Sequence, residues 1–205
     1  MVTSRVFYFK YMPNLYIIAG CNGAGKTTAS YTILPEILDC REFVNADSIA
    51  AGLSPFNPES VALEAGRIML KRINELLEER LDFAFETTLS TRSSVSFVKK
   101  AQLAGYKVTL LYFWLNSPEM AHERVAKRVS EGGHNIPVAV IDRRYYRGIK
   151  NLLNLYIPVC DEWLVMDNVE VPSKIIARGA VQFGEVVINT DIWDIIIAQG
   201  NDSSR

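Results

Sequence analysis

Cysteine and histidine are scarce in this chain of 205 residues: Cys21, Cys40 and Cys160, and two histidines. No two cysteines stand at C-x-x-C spacing, which argues against a disulfide framework or a zinc site and points to a reduced, cytoplasmic setting. No apolar run reaches the ~18 residues of a spanning helix, so no membrane partner is expected. Met1–Tyr11 has neither a continuous apolar core nor a small-residue cleavage site, so it does not read as a secretory leader. A dominant charge is also missing. The formal net charge is -1, which gives no general pull toward nucleic acid. There are no internal repeats and no low-complexity stretch.

Against these absences stands one strong motif. Leu15–Ala19 is a short apolar run that breaks at Gly20. Gly20, Gly25, Lys26 and Thr27 satisfy G-x-x-x-x-G-K-[ST], and a helix-like segment follows. Strand, glycine-rich loop and helix together predict a phosphate-binding loop. Gly20, Asn22, Gly23, Ala24 and Gly25 would bring backbone N–H groups to phosphate oxygens. The helix N-terminus carrying Lys26, Thr27 and Thr28 favours the same anion. Lys26 can reach the outer phosphates and the Thr27 hydroxyl can ligate Mg2+.

The rest alternates strand and helix. Strands are read at Glu42–Val44, Leu81–Glu86, Lys107–Leu115 and Glu162–Met166. Helices are read over Gly25–Leu38 (ended or bent at Pro35), Asn57–Arg80, Arg92–Gly105, Ser117–Gly132 and Pro137–Tyr156. Lys174–Ala177 and Glu185–Asn189 form a C-terminal β-hairpin, Ile192–Gln199 closes with a helix, and Gly200–Arg205 frays. Val2–Tyr11 would add an edge strand. The pattern predicts an α/β fold: a three-layer sandwich on a mainly parallel sheet, with the ligand at the strands' carboxyl ends. One domain over 1–205 is expected, with a core of about 13–168 and a helical lid of about 124–150.

Two polar clusters follow strand ends and should converge on the loop. Asp47, in Asn45-Ala46-Asp47, reads as a general base or Mg2+ organiser; the blander reading makes it the cap of a short helix. Glu86-Thr87-Thr88 suits a hydroxyl-rich acceptor, with Arg92 beside it; the blander reading is a polar strand-to-helix turn. The strand Lys107–Leu115 carries no acid, so Asp47 or Glu86 would have to serve the metal. Arg124 and Arg128, at i, i+4, would gain charge-assisted contacts from a bound phosphate. Glu123 and Lys127 read as a solvent pair. Beyond Gly132-Gly133-His134, Arg143, Arg144 and Arg147 complete two basic helices joined by a glycine hinge, which read as a phosphate-closing lid or as a solvated face.

These motifs together are similar to those of the zeta toxin-type P-loop kinases. The likeness rests on the phosphate loop, Phe43-Val-Asn-Ala-Asp47, Phe83-Ala-Phe-Glu-Thr-Thr88, Arg128-Val-Ser-Glu-Gly-Gly-His-Asn-Ile-Pro137 and Arg143-Arg-Tyr145. It implies a kinase that uses ATP or GTP and Mg2+ to phosphorylate the amino-sugar 3′-hydroxyl of UDP-N-acetylglucosamine. It implies that Lys26 and Thr27 bind phosphate and metal, that Asp47 is the base, and that Glu86 and Thr88 meet the sugar nucleotide. It also implies that an arginine near Arg128 and one of Arg143 or Arg144 touch the transferring phosphoryl. An antitoxin protein is a partner the resemblance allows. Two other readings stand beside it: a kinase of another hydroxylated metabolite, and a regulatory ATPase with no acceptor.

Overall fold

The computed structural model describes residues 12–133 and 135–202. Seven strands form one sheet in the order β2-β3-β1-β4-β5-β6-β7. They are β1 (Asn14–Ala19), β2 (Glu42–Val44), β3 (Phe83–Thr87), β4 (Lys107–Trp114), β5 (Glu162–Asp167), β6 (Lys174–Ala180) and β7 (Gly184–Val187). The first five run parallel; β6 pairs antiparallel with β5, and β7 with β6. The expected mainly parallel sheet and C-terminal hairpin are both present.

Seven α-helices are described: α1 (Lys26–Thr32), α2 (Ala46–Leu53), α3 (Ala62–Glu79), α4 (Ser93–Leu103), α5 (Pro118–Ser130), α6 (Val138–Asn151) and α7 (Thr190–Asn201). From β1 the chain steps outward past β3 to reach β2, then returns to β3, crosses over β1 to β4 and moves on to β5. Right-handed crossovers therefore put α1 on one face of the sheet and α3 and α4 on the other. The core is where the composition says it should be. Leu15, Ile17, Ile18 and Ala19 of β1, and Val108 to Trp114 of β4 apart from the polar Thr109, are buried hydrophobics, as central parallel strands covered on both faces must be.

Several expectations change at element ends. The helix expected over Gly25–Leu38 is α-helical only to Thr32 and then widens to a π-turn over Ile33–Ile37, with Pro35 inside it. Proline lacks an N–H and clashes with the preceding turn, so the ladder loosens there. The Asn57–Arg80 helix opens as a 3-10 turn over Pro58–Val61 before α3. The last helix extends further than expected: Gly200, read as part of the tail, is buried in α7. The proposed edge strand at Val2–Tyr11 and His134, beside the glycine hinge, lie outside the described residues. No helix among the described residues is long and apolar enough to cross a membrane.

Candidate functional site: a phosphate loop with a carboxylate at its floor

The site is built from the sheet's topology. β1 delivers Gly20, which sits at φ +143, a conformation open only to glycine. A Cβ there would collide with the Phe113 carbonyl of neighbouring β4. The chain then wraps through Gly23 (φ 77) and Gly25 (φ 78) into α1. Lys26 is buried, and its Nζ donates to the Cys21 carbonyl at 2.8 Å. It is folded back over its own loop, as a phosphate-cradling lysine must be.

On the other side of β1 lies β3, registered so that Ile18 pairs with Glu86 and Ala19 with Thr87. Glu86 is thereby set at the lip of the loop. Its Oε1 is 3.4 Å from Lys26 Nζ. Its Oε2 accepts from the Thr27 hydroxyl at 2.7 Å and from Asn45 Nδ2 at 2.7 Å. Glu86 thus stands against the Thr27 hydroxyl and the Lys26 ammonium. Mg2+ is held by one or two carboxylates plus phosphate oxygens and water, rather than by an all-protein cage. No cluster of three His, Cys, Asp or Glu occurs among the described residues. The Thr27 hydroxyl with Glu86 beside it fits that sparser requirement.

β2 brings in the third cluster. Asn45, not Asp47, caps α2: its Oδ1 accepts from the Asp47 and Ser48 backbone N–H groups at 2.8 and 3.2 Å. That frees the exposed Asp47 carboxylate from capping. A cleft of about 360 Å³ is lined by Asn22, Gly23, Gly25, Lys26, Thr27, Thr28, Asp47, Glu86, Arg124, Lys127, Arg128 and Glu131. Asp47 also lines a second, smaller cleft of about 180 Å³, with Pro58 and Glu59 ahead of α3, Asn135 to Pro137, and Arg144. Asp47 is therefore a shared wall. A larger cleft of about 840 Å³ runs along the outer edge of β2 between α1 and α3. It holds none of the loop's glycines, Lys26 or Asp47, so we assign the chemistry to the two smaller clefts.

The arginines divide. Arg144 Nη1 donates to Asn22 Oδ1 in the loop at 3.0 Å. Burial pulls its guanidinium below its ordinary pKa, Asp47 opposes that and Arg143 adds to it. Arg128 lines the main cleft, and its stem runs under Gly133. Arg124 lines the cleft as well, but its two terminal nitrogens donate to the carbonyls of Asn168 and Val169 at 2.9 and 2.7 Å. It clamps the loop after β5. Arg143 is exposed and lines neither cleft.

The acceptor cluster is only partly assembled. Thr87, Thr88 and Arg92 line neither cleft. Thr87 Oγ1 accepts from the Leu89 N–H, and the Thr88 and Ser90 hydroxyls bond each other at 2.9 Å. Those hydroxyls support a tight turn in which buried Leu89 takes φ 53. Arg92 is exposed at the start of α4. For these three residues the polar-turn reading fits better than acceptor contact.

Three contributors escaped the sequence reading. Asn45 links the clusters. Asn168 Nδ2 donates to the Ala24 carbonyl at 2.6 Å, and its Oδ1 accepts from the Ser173 hydroxyl, bracing the loop from behind. Lys127 faces the cleft instead of pairing in solvent. Only Asn45 carried a signal, as a favoured cap residue just past a strand end.

With this geometry in view, the comparisons are specific. A family model described as zeta toxin matches residues 4–155. An uncharacterised protein of Haemophilus influenzae is 30% identical over 126 residues, covering 62% of this chain and 88% of that protein. Among solved structures, the complex AvrRxo1-ORF1:-ORF2 with ATP is similar with a TM-score of 0.74 at 17% identity, over 95% of this chain. The chain spans 66% of that relative's length. The PezAT chromosomal toxin-antitoxin system of Streptococcus pneumoniae is similar with a TM-score of 0.63 at 15% identity, over 93% of this chain and 87% of that one. At such identities the structural likeness speaks for the fold.

Proposed function

Since the chain belongs to the zeta toxin family, we propose that it is a Mg2+-dependent kinase that moves the γ-phosphoryl of ATP to a sugar hydroxyl, the 3′-hydroxyl of the amino sugar of UDP-N-acetylglucosamine first. The observation that carries this reading is the shared wall: one cleft holds the phosphate loop with Glu86 and Asp47, and Asp47 also faces a second cleft. A hydrolase needs only to position water; a kinase needs a second chamber.

Phosphoryl transfer asks the protein for positioning and charge neutralisation more than for covalent chemistry. In this reading Lys26 and the loop N–H groups hold the phosphates. Thr27 and Glu86 would hold Mg2+, which supplies charge neutralisation on the β- and γ-phosphates when bound. Asp47 accepts the proton of the acceptor hydroxyl as the new O–P bond forms and the bond to the ADP oxygen breaks. Arg128 and Arg144 steady the charge from α5 and α6, which we read as a lid over both clefts. A cytoplasmic setting suits an ATP consumer with three free, buried thiols. A protein partner of the antitoxin kind is part of the proposal, since one similar solved structure is an ORF1:ORF2 complex and another comes from a toxin-antitoxin system.

A second reading has one specific observation behind it. The acceptor-side cleft is about 180 Å³, below the roughly 300 Å³ at which small-molecule pockets usually begin. That favours a smaller hydroxylated metabolite as acceptor. One experiment separates the readings: incubate a metabolite extract, and UDP-N-acetylglucosamine alone, with ATP, Mg2+ and protein, and read products by mass spectrometry. One added phosphate on the nucleotide sugar supports the first; one on another metabolite alone supports the second; ATP loss with no phosphorylated product rejects both. In the same assay Asp47→Asn should keep ATP affinity and lose on the order of 10²-fold or more in turnover.

A further inference from the structure

We infer that Asn45 is the positioning residue that locks the metal-side acid and the base-bearing helix into one register. The inference rests on the kinase reading above for the roles of Glu86 and Asp47, but its geometry is independent of the acceptor. Asn45 is buried, and both ends of its amide are committed. Two backbone N–H groups, those of Asp47 and Ser48, donate to one end, which must therefore be the oxygen. The NH2 end then points at Glu86 Oε2, 2.7 Å away, with the Thr27 hydroxyl at 3.4 Å.

No other common side chain makes this connection. An acceptor is needed for the helix cap and a donor for the carboxylate, within the span of one short side chain. Aspartate would cap α2 equally well but would set a second negative charge against Glu86. Serine would cap α2 and leave Glu86 without its amide partner. Alanine would do neither. Because the cap bond ends on the Asp47 N–H itself, a shift of the Glu86 carboxylate is passed to the base through a single rigid group. Groups that orient a metal ligand from behind typically matter by roughly 10–100-fold in metal affinity or activity.

Asn45→Ser is the discriminating variant and Asn45→Ala its control. Two readouts need no turnover. Amide exchange at Asp47 and Ser48 should stay at the wild-type rate in Asn45→Ser and speed up in Asn45→Ala. Calorimetric titration of a non-hydrolysable ATP analogue, with and without Mg2+, should show that Asn45→Ser loses most of the Mg2+-dependent gain in affinity while metal-free affinity holds within about 2-fold. In turnover, Asn45→Ser should raise the Mg2+ concentration for half-maximal rate and lower kcat by about 10-fold or more. Wild-type Mg2+ dependence in Asn45→Ser would overturn the inference. So would a loss confined to Asn45→Ala that follows its melting temperature, since that is the mark of a helix cap alone. Should the wild-type protein phosphorylate no hydroxyl compound, the kinase reading fails, and the Mg2+-dependent analogue binding still decides the role of Asn45.

Discussion

At the scale of single residues the informative case is Glu86. The sequence shows that β4 lacks an acid, so that in the kinase reading Asp47 or Glu86 would stand in for it. Which one does so depends on β3 lying beside β1, and strand order is not written in the periodicity of a single chain. Once Ile18 and Glu86 are paired across the sheet, the carboxylate falls against Thr27 and Lys26. Glu86→Gln keeps the shape and removes the charge. It should raise the Mg2+ requirement by roughly 10–100-fold and leave KM for the acceptor nearly unchanged. Steady-state kinetics over a Mg2+ series checks this; a raised acceptor KM at constant Mg2+ requirement would return Glu86 to the sugar. Lys26 and Thr27 were legible because their motif is contiguous. Thr87 and Thr88 were harder to read, because a polar turn and a polar pocket look alike until one sees which hydroxyls are already bonded.

At the scale of elements, caps and breaks were easier to read than partners. Ser117-Pro118-Glu119 announced α5, and Ser117 does accept from the Met120 N–H. Gly132-Gly133 announced its end. Gly132 takes φ 94 and donates to Val129, and Gly133 donates to Arg128, the paired bonds of a Schellman turn. What α5 faces was not legible: i, i+4 spacing puts Arg124 and Arg128 on one stripe but does not reveal that the Asn168–Val169 carbonyls lie opposite Arg124. The loop from β1 to α1 makes the sharpest demand. Gly20→Ala must adopt φ +143 and drive a methyl into the Phe113 carbonyl. Backbone strain of this kind costs on the order of 1–3 kcal/mol. For a chain of this size that is a melting temperature lower by several degrees, at about 2–4 °C per kcal/mol. Thermal denaturation followed by circular dichroism measures it, and an unshifted midpoint would mean the loop relaxes without strain.

For the whole molecule, the last thirty or so residues had no function in the sequence, and the structure gives them a mechanical one. β6 extends the sheet from β5, and Trp193 of α7 stacks on Trp163 of β5 with ring centroids 5.7 Å apart. Gln199 accepts from Trp114 Nε1 and donates to the Tyr145 hydroxyl, tying α7 to β4 and α6. The protein interior as a whole holds titratable groups neutral. Burial pushes the Cys21 thiol up to about 11 and the Cys160 thiol up to about 12, from an ordinary 9.0. Burial does the same to Cys40, with Asp82 adding to it, up to about 12. The Tyr106 hydroxyl, which donates to the Leu76 and Leu81 carbonyls, also rises to about 12, from 10.0. Each of these is an acid whose folded value lies above its unfolded one. Below its ordinary value the group is neutral in both states and its contribution to stability is complete. Above it the unfolded chain releases protons that the fold retains, so stability is lost as pH rises through the folded value. These groups predict a urea midpoint that is level between about pH 6 and 8 and falls progressively from about pH 9 upward. Thiol alkylation supplies the companion measurement: at about pH 8 the folded protein should resist iodoacetamide and become reactive only with unfolding, because the thiolate is the nucleophile. A midpoint unchanged up to about pH 11, or rapid alkylation of the native protein, would mean that water reaches these side chains.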